Sequence, residues 1–344
     1  MWLVHNATPF AAERTWVQDK DANKLWLVVV KATFDVQTDG SCRLSPEQLP
    51  VLRMGEPSGE RGRSSLVYDA DLSGVKPCTD VLLRGSAWAP KGGRAGAVDV
   101  KMMVGTIDKR LRVFGERYWD HGLVGGATIS SPKAFESMPI TYERAYGGWD
   151  RSATDPLDHR MESRNPVGTG YALRAENCIG KHLPNVEHPN HLIESWSDRP
   201  SPAGLNAIDC SWSPRRELAG TYDANWQQTR FPLWAEDFDE HYNNSAPMDQ
   251  QVNGFLSGGE PVELINLSPD GALAFNLPRI YLAFRTRFGS ERVEHDGQLC
   301  TVILEPDASR VIMTWQSSLV CNHRMDELDE TVIRETSYLP GSSR

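Results

Sequence analysis

The chain has 344 residues, 40% of them hydrophobic and 24% charged, which is the composition of a folded globular protein and excludes disorder as a description of the whole chain. The 46 acidic and 36 basic residues give a net charge of −10, so we expect no nucleic-acid partner, because an acidic surface repels phosphate groups. No apolar run approaches the roughly 20 residues of a membrane-spanning helix, and the first residues lack the pattern of a signal peptide, so we expect a cytoplasmic protein without membrane contact.

The first 115 residues show the period-two alternation that is typical of β-strands. Over residues 25–36 the apolar side chains share one face and polar ones such as Lys31 share the other, which predicts a half-buried strand. Residues 98–104 repeat the alternation, and the turn that begins at Gly105 leads into a second strand, as in a hairpin. Basic residues are frequent here, and we expect them on the solvent face of that hairpin. The pattern predicts an N-terminal β-rich lobe over residues 1–115.

Residues 116–258 have a different character. Pro, Gly, Asn and Trp recur every few positions, and neither the helical nor the strand period persists. Because a compact protein rarely contains a structureless loop of that length, we predict many short strands and single helical turns, held by aromatic side chains and packed on both lobes. Residues 235–242 are the best candidate for a short helix.

Strand patterns return after Gly258 and predict a C-terminal β-rich lobe over residues 259–344. The predicted strands cover residues 262–265, 281–288, 300–304 and 311–315. The acidic tail from Asp326 onward is expected to fray. The predicted fold class is therefore mainly β with short helices: sandwich-like β-rich lobes joined by a long irregular middle segment rich in Pro, Gly and Trp, or one continuous globular unit.

The middle segment contains a series of short motifs built from Gly, Pro, Asn and aromatic residues, which fix the shapes of loops rather than perform chemistry. In order, the motifs are MPITYERAYGGWD (138–150), NPVGTGY (165–171), LPNVE (183–187), GTYD (220–223), DF (237–238) and NNSAPMDQQ (243–251). None of them contains a nucleophile–base pair or the spacing of a metal site. The motifs therefore indicate a shaped surface instead of a catalytic centre.

Taken in this order, and together with NATPF at 6–10 and VKATFD at 30–35, the motifs resemble a bacterial domain-of-unknown-function family that is encoded beside type VI secretion spike proteins. The resemblance reaches to about residue 278. Members of that family are regarded as adaptors or chaperones that load toxic effectors onto the spike. The resemblance implies a cytoplasmic protein that binds an effector toxin, and the spike protein or its tip protein, without catalysis and without a cofactor.

Two groups of residues are expected to carry such a function. Aromatic and Arg side chains commonly anchor protein interfaces, and the candidates for contact with the effector are Tyr146, Trp149, Tyr171, Trp226 and Arg230. The second group is expected to hold the loops in shape and comprises Arg144, Gly147, Gly148, Asn165, Pro166, Asn185 and Asp223. Within that group, Arg144 is expected to bridge a buried carboxylate such as Asp80 or Asp223.

One segment contains four candidate zinc ligands, which are His182, Glu187, His188 and His191. Two prolines within the segment break any helix, so no pair of these ligands lies one turn apart on a helical face. We interpret the segment as a turn with solvated or hydrogen-bonded histidines and predict no metal. The six scattered cysteines contain no CxxC spacing and fit free thiols in a reducing cytoplasm.

The alternative function is that of a carbohydrate-active protein, either a glycoside hydrolase or a sugar-binding module. The chain has 11 tryptophans, and Trp226 and Trp234 lie near an acidic cluster of the kind that glycosidases use in pairs. The cluster comprises Glu236, Asp237, Asp239 and Glu240. Clustered acids more often form a solvent-exposed face, and tryptophans more often belong to the core. Since the sequence also lacks GxSxG, P-loop and GxGxxG motifs, we predict no catalytic residue and no enzyme.

Overall fold

The longest strand of the protein runs from Lys24 to Val36 and lies inside its largest sheet. The computed structural model describes residues 2–122 and 126–337, and these are mainly β-strand with short helical segments, as the alternating patterns predicted. The strands, in chain order, are β1 (Leu3–Asn6), β2 (Ala11–Gln18), β3 (Lys24–Val36), β4 (Cys42–Leu44), β5 (Glu56–Pro57), β6 (Leu66–Tyr68), β7 (Asp80–Leu83), β8 (Ser86–Trp88), β9 (Ala97–Val104), β10 (Ile107–Phe114), β11 (Trp119–His121), β12 (Ala127–Ile129), β13 (Ser137–Pro139), β14 (Tyr146–Gly147), β15 (Trp149–Asp150), β16 (Arg160–Met161), β17 (Thr169–Gly170), β18 (Val186–Glu187), β19 (Pro261–Ile265), β20 (Ala272–Asn276), β21 (Tyr281–Phe288), β22 (Glu291–Asp296), β23 (Gln298–Glu305), β24 (Arg310–Val320) and β25 (Leu328–Thr336).

The largest sheet joins both ends of the chain. Its strand order is β2-β3-β24-β23-β7, and β4 pairs with the end of β3. The strands β3 and β24 run antiparallel, with Leu25 opposite Val320 and Asp35 opposite Arg310, whereas β7 and β23 are parallel. Strands from before residue 116 and after residue 258 therefore share one sheet. The three-part division of the chain at these positions stays a prediction.

A second sheet has the order β18-β10-β9-β19-β20 and contains the predicted hairpin of β9 and β10. The alternate apolar residues of β9 are buried, and Gly105 makes the turn with a positive φ of 55°. On the opposite face, Arg112 pairs with Asp99 across the hairpin at 2.7 Å. The hairpin is thus confirmed. The expected solvent-facing position holds for Arg110 and Arg112 but is wrong for Lys109, which lies on the buried face of β10, is 9% exposed and pairs with Asp249.

The third sheet has the order β1-β25-β21-β22. The expectation that the acidic tail frays is wrong for its described part, because β25 lies between β1 and β21. Arg287 on β21 donates hydrogen bonds to Asp329 at 2.7 Å and to Glu330 at 2.9 Å, so the neighbouring strand compensates these acids. Residues 338–344 of the tail lie outside the described residues.

One core cluster connects the three sheets. It includes Trp26 and Val30 from the largest sheet, Met102 from the second, and Phe284 and Ile333 from the third. Residues of these three sheets thus share one apolar interior, as sandwich-like packing requires.

The strand β3 is buried on both faces instead of one. Leu27 lies on the face away from the main core and packs against residues 51–75. On that same face Lys31 is only 2% exposed, and its Nζ lies 2.9 Å from the Asp71 Oδ2. The alternation of β3 predicted a solvent-facing side because a covering segment from elsewhere in the chain leaves no mark on the strand's own sequence.

The middle segment consists of short strands and turns, as predicted, since β11 to β18 contain two or three residues each. Trp212 is 5% exposed and packs edge-to-face on Tyr142, with the ring centroids 5.6 Å apart. An aromatic pair thus holds together two parts of the segment that are distant in sequence.

The predicted helix at residues 235–242 is wrong. The α-helix of this segment, α1, comprises Ala224–Thr229, and the Asp223 side chain caps it by accepting a hydrogen bond from the Trp226 N–H. Within residues 2–122 and 126–337, no helix has the length and apolar character needed to span a bilayer. The 3-10 helices are Pro90–Gly92, Tyr142–Arg144, Pro156–Asp158, Ala175–Asn177, Arg215–Ala219, Glu240–Asn243, Met248–Gln250, Pro306–Ala308 and Asn322–Glu327.

Candidate functional site

Three motifs converge on one cleft of about 970 Å³, which are the ERAYGG part of the first motif, NPVGTGY and LPNVE. We call it the motif cleft. Its walls come from loops at residues 58–64, 116–119, 141–149, 168–172 and 178–185. Six residues singled out from the sequence line it, which are Arg144, Gly147, Trp149, Tyr171, His182 and Asn185.

Backbone hydrogen bonds join two of these motifs at the bottom of the cleft. The strands β14 and β17 pair in parallel, the Gly148 N–H donates to the Asn165 carbonyl at 2.8 Å, and the Tyr171 N–H donates to the Gly147 carbonyl at 2.9 Å. The loops around residues 147 and 168 therefore form one continuous unit.

Asn165 occupies the centre of that unit and is fully buried. Its Nδ2 donates to the carbonyl oxygens of Tyr142 at 2.7 Å and Tyr146 at 3.0 Å. A buried backbone carbonyl needs a hydrogen-bond donor, and here the side-chain amide of Asn165 donates to two such carbonyls. Pro166 follows directly and lines a depression beside the motif cleft.

The glycine pair of the first motif allows the two loops to approach closely. Gly147 has a φ of 153° and Gly148 a φ of 94°, a region that L side chains rarely adopt. A Cβ on Gly148 would lie 2.3 Å from the carbonyl oxygen of Gly168. Position 148 thus requires glycine for both its backbone conformation and its surroundings.

Arg144 pairs with a carboxylate that the sequence did not indicate. Its Nη1 lies 3.0 Å from the Glu116 Oε1 and 3.0 Å from the Asn185 Oδ1. Burial raises the pKa of Glu116, but the hydrogen bonds from Arg144 and His182 outweigh it and hold that pKa below its usual value. The second Glu116 oxygen lies 2.9 Å from the His182 Nδ1.

The expectation that Arg144 bridges Asp80 or Asp223 is therefore wrong. Asp80 is fully buried and pairs with Lys76 at 2.6 Å, while Asp223 caps α1. Arg144 is about one third exposed and lies on the cleft wall, and its carboxylate partner, Glu116, is exposed to a similar extent.

Two further carboxylates hold the rim loops in place. Glu143 accepts hydrogen bonds from the Ser65 N–H at 2.7 Å and the Ser65 hydroxyl at 2.9 Å. Asp150 accepts from the Leu173 N–H at 2.6 Å and from the Asn177 Nδ2 at 2.9 Å. Burial raises the pKa of both carboxyls, but these hydrogen bonds outweigh it and hold each pKa below its usual value.

The aromatic residues of the motif cleft differ in their exposure. Trp149 stands at the rim and is 42% exposed, with the Arg151 guanidinium 5.1 Å from its ring centroid. Tyr171 is half-buried beside Arg199. Tyr146 is only 2% exposed, so its side chain supports the cleft from below instead of contacting a partner, which corrects its expected role.

Trp226 and Arg230 lie outside the motif cleft. Trp226 packs edge-to-face on Tyr222 and Phe231, which are 47% and 66% exposed, and the three form a separate aromatic patch. The Arg230 guanidinium donates to the backbone carbonyls of Trp234 at 2.6 Å and Lys20 at 2.7 Å. Arg230 therefore ties this patch to the turn between β2 and β3.

A second cleft, of about 540 Å³, was missed by the sequence analysis. It is lined by apolar side chains such as Ile208 and Leu218, together with His188 and most of the NNSAPMDQQ motif. We call this second cleft the apolar cleft. The NNSAPMDQQ motif, which follows the other motifs in the chain, is the sequence signal that could have indicated this cleft.

The four candidate zinc ligands do not converge. His182 pairs with Glu116, Glu187 is buried against Arg117, and the rings of His188 and His191 pack on each other at the apolar cleft. Over the described ranges, 2–122 and 126–337, no group of three or more His, Cys, Asp or Glu side chains has the geometry to hold a metal ion.

Two residues of the acidic cluster, Asp237 and Asp239, stabilise the local backbone. Asp237 accepts hydrogen bonds from the Thr221 N–H at 2.9 Å and hydroxyl at 2.8 Å. Asp239 caps the following 3-10 helix by accepting from the His241 N–H at 2.9 Å. These bonds occupy both oxygens of Asp237 and one oxygen of Asp239. The carbohydrate-active function stays an untested alternative.

Comparisons with known proteins identify a family but no characterised relative. A family model described as an uncharacterized protein conserved in bacteria (DUF2169) matches residues 21–316. The matched range contains the motif cleft and all motifs of the middle segment. No curated protein and no solved structure matches the chain.

Proposed function

The chain belongs to the DUF2169 family of uncharacterized bacterial proteins, and we propose that it is a cytoplasmic adaptor that binds a type VI secretion effector and assists its loading onto the spike complex. The observation that carries this proposal is the convergence of three family-like motifs on one cleft with Trp149 at its rim. The link to type VI secretion rests on the order of the motifs in the sequence.

The polar groups of the motif cleft support recognition rather than catalysis. Glu116 is engaged by Arg144 and His182, and Glu143 is engaged by Ser65. A general acid or base needs an oxygen or nitrogen within reach of a substrate, whereas these groups bind neighbouring loops. They give the cleft a fixed shape, and a preformed surface lowers the entropic cost of binding.

The rim provides the type of side chain that anchors a protein interface. Trp149 combines a large exposed ring with an adjacent Arg151 cation, and Trp and Arg are both enriched among residues that dominate binding energy. The cleft is large enough to receive several side chains of a partner. A stable interface also requires contact surface beyond the cleft itself.

Co-expression tests the proposal directly. The chain is produced together with a toxin-like protein and a spike protein from its own bacterium, and any complex is measured by size-exclusion chromatography with light scattering. We expect an equimolar complex with the toxin, and Trp149→Ala weakens it by at least about tenfold, the loss of one anchor.

Trp2→Ala is the matched control, because Trp2 is also 42% exposed but lies on the sheet edge away from the motif cleft. Equal affinities for the two variants would remove the motif cleft from the interface. Absence of any complex with the toxin, with release of soluble sugar from polysaccharide substrates instead, would favour the carbohydrate-active alternative.

A further inference from the structure

A basic groove adjoins the motif cleft on the other side of Trp149. It has a volume of about 720 Å³ and shares Trp149, Gly168 and Lys181 with the motif cleft. Its other charged residues are Arg63 and Arg151, and no acidic side chain of the described part of the chain lines it. The groove therefore concentrates positive charge on a protein whose net charge is −10.

Two of the three cations are uncompensated. Arg63 pairs with Glu60 at 3.1 Å, but Arg151 and Lys181 are exposed and have no ion pair within residues 2–122 and 126–337. Most arginines on the hairpin and sheet surfaces have a carboxylate partner, for example Arg112 with Asp99. Unpaired cations around an exposed tryptophan attract carboxylates from outside the chain.

The lining of the groove combines backbone, aromatic and cationic groups. Gly148 and Gly168 are among its lining residues and contribute backbone there. Trp149 forms one wall, where the Arg151 guanidinium lies 5.1 Å from the ring centroid. An apolar side chain can pack on the ring while a neighbouring carboxylate pairs with the guanidinium.

We propose that the basic groove binds an acidic, extended peptide segment of the partner protein, with carboxylates at Arg151 and Lys181 and an apolar residue on Trp149. The identity of the partner as a secreted effector or spike component rests on the function proposed above, whereas the chemistry of the ligand rests on the groove itself. A peptide is favoured over a nucleic acid because a long polyanion would also meet the acidic remainder of the surface.

The groove is tested by fluorescence polarisation with a labelled oligoglutamate peptide and the full chain at low and high salt. We expect salt-sensitive binding that Arg151→Glu with Lys181→Glu weakens by at least about tenfold. The control variant is Arg110→Glu with Arg216→Glu, which makes the same change in net charge at exposed arginines outside the groove, and it should bind as the natural protein does.

Three results would overturn the proposal: no binding of oligoglutamate at low salt, equal losses in the two double variants, or tighter binding of a single-stranded DNA oligonucleotide of the same charge. Unchanged thermal unfolding of the groove variant shows that any loss is local. Arg151→Gln with Lys181→Gln provides a milder second variant and should lie between the natural protein and the charge reversal.

Capture of the toxin by the same variants separates this inference from the adaptor function. If the charge-reversed groove retains both the toxin and the spike component at the natural affinity, the groove does not receive a segment of either partner, although the adaptor function stands. If the natural protein binds oligoglutamate through the groove but captures no toxin, the adaptor function fails and the site for an acidic peptide stands.

Discussion

Arg144 and Asn185 are joined at two points although 41 residues separate them in the sequence. The Asn185 N–H donates to the Arg144 carbonyl at 2.8 Å, and the Arg144 Nη1 donates to the Asn185 Oδ1 at 3.0 Å. This pair connects the ERAYGG and LPNVE motifs and forms one wall of the motif cleft. The shape of the cleft therefore depends on a contact between two motifs that each contain too little information to indicate a site.

Asn185→Ala should lower the free energy of unfolding by about 1–3 kcal/mol, because it leaves buried hydrogen-bonding groups unpaired. Asn185 is 4% exposed, and its Nδ2 also donates to the Phe114 carbonyl at 3.1 Å. Urea unfolding measures the change. Asn225→Ala, at an exposed position of α1, is the control and should change stability by less than about 0.5 kcal/mol. Equal effects of the two substitutions would contradict a structural role for Asn185.

Arg144→Ala should reduce partner affinity more than stability. Because the guanidinium is about one third exposed and its pair with Glu116 is open to solvent, we expect a loss of about 1 kcal/mol or less in the free energy of unfolding. The loss of the cleft wall should weaken capture of the toxin in the co-expression assay. If both folding and capture are unchanged in this variant, Arg144 has no anchoring role.

Gly148→Ala should destabilise the protein more than Gly254→Ala. Both glycines have a positive φ, of 94° and 87°, so both substitutions impose a similar backbone cost of about 1–2 kcal/mol. A Cβ at position 148 would also lie 2.3 Å from the Gly168 carbonyl, whereas a Cβ at position 254 meets open space. Thermal unfolding should show a further loss of about 1–3 kcal/mol at position 148. Equal losses would mean that the two loops can separate without cost.

Asp150→Asn should lower stability in a pH-dependent manner. Burial raises the pKa of Asp150, but hydrogen bonds from Ser152, Leu173 and Asn177 hold it below the unfolded value, which is about 3.9. The carboxylate therefore stabilises the folded state above about pH 4, and this contribution is lost as the pH falls towards the folded-state pKa.

We expect Asp150→Asn to lower the free energy of unfolding by about 2 kcal/mol at pH 7. In urea unfolding, the difference from the natural protein should become smaller below about pH 4. Asp270→Asn, at an exposed position, should change stability by less than about 0.5 kcal/mol over the same range. A difference between Asp150→Asn and the natural protein that does not depend on pH would show that the carboxylate charge is not what the loop requires.

Local alternation located several strands correctly. The hairpin of β9 and β10 and the strands β19, β21, β23 and β24 lie where their patterns indicated. The pattern failed at β25, whose acids Asp329 and Glu330 suggested a solvated tail but pair with Arg287 from another strand. It also failed for the second face of β3, which is covered by a distant segment.

The candidate site was only partly predictable for a related reason. The motifs indicated which loops matter, and three of them do meet at one cleft. Exposure depends on the packing of the whole chain, so the sequence could not distinguish the exposed Trp149 from the buried Tyr146. Nor could it place Trp226 on a separate patch or choose Glu116 as the partner of Arg144.

Affinity purification of the tagged chain from its own bacterium, under conditions in which the secretion genes are expressed, tests the central claim most directly. The account predicts that one toxin-like protein co-purifies near one-to-one, with or without a spike component, and that Trp149→Ala reduces its recovery while Trp2→Ala does not. Recovery of the chain alone under these conditions would contradict the adaptor function.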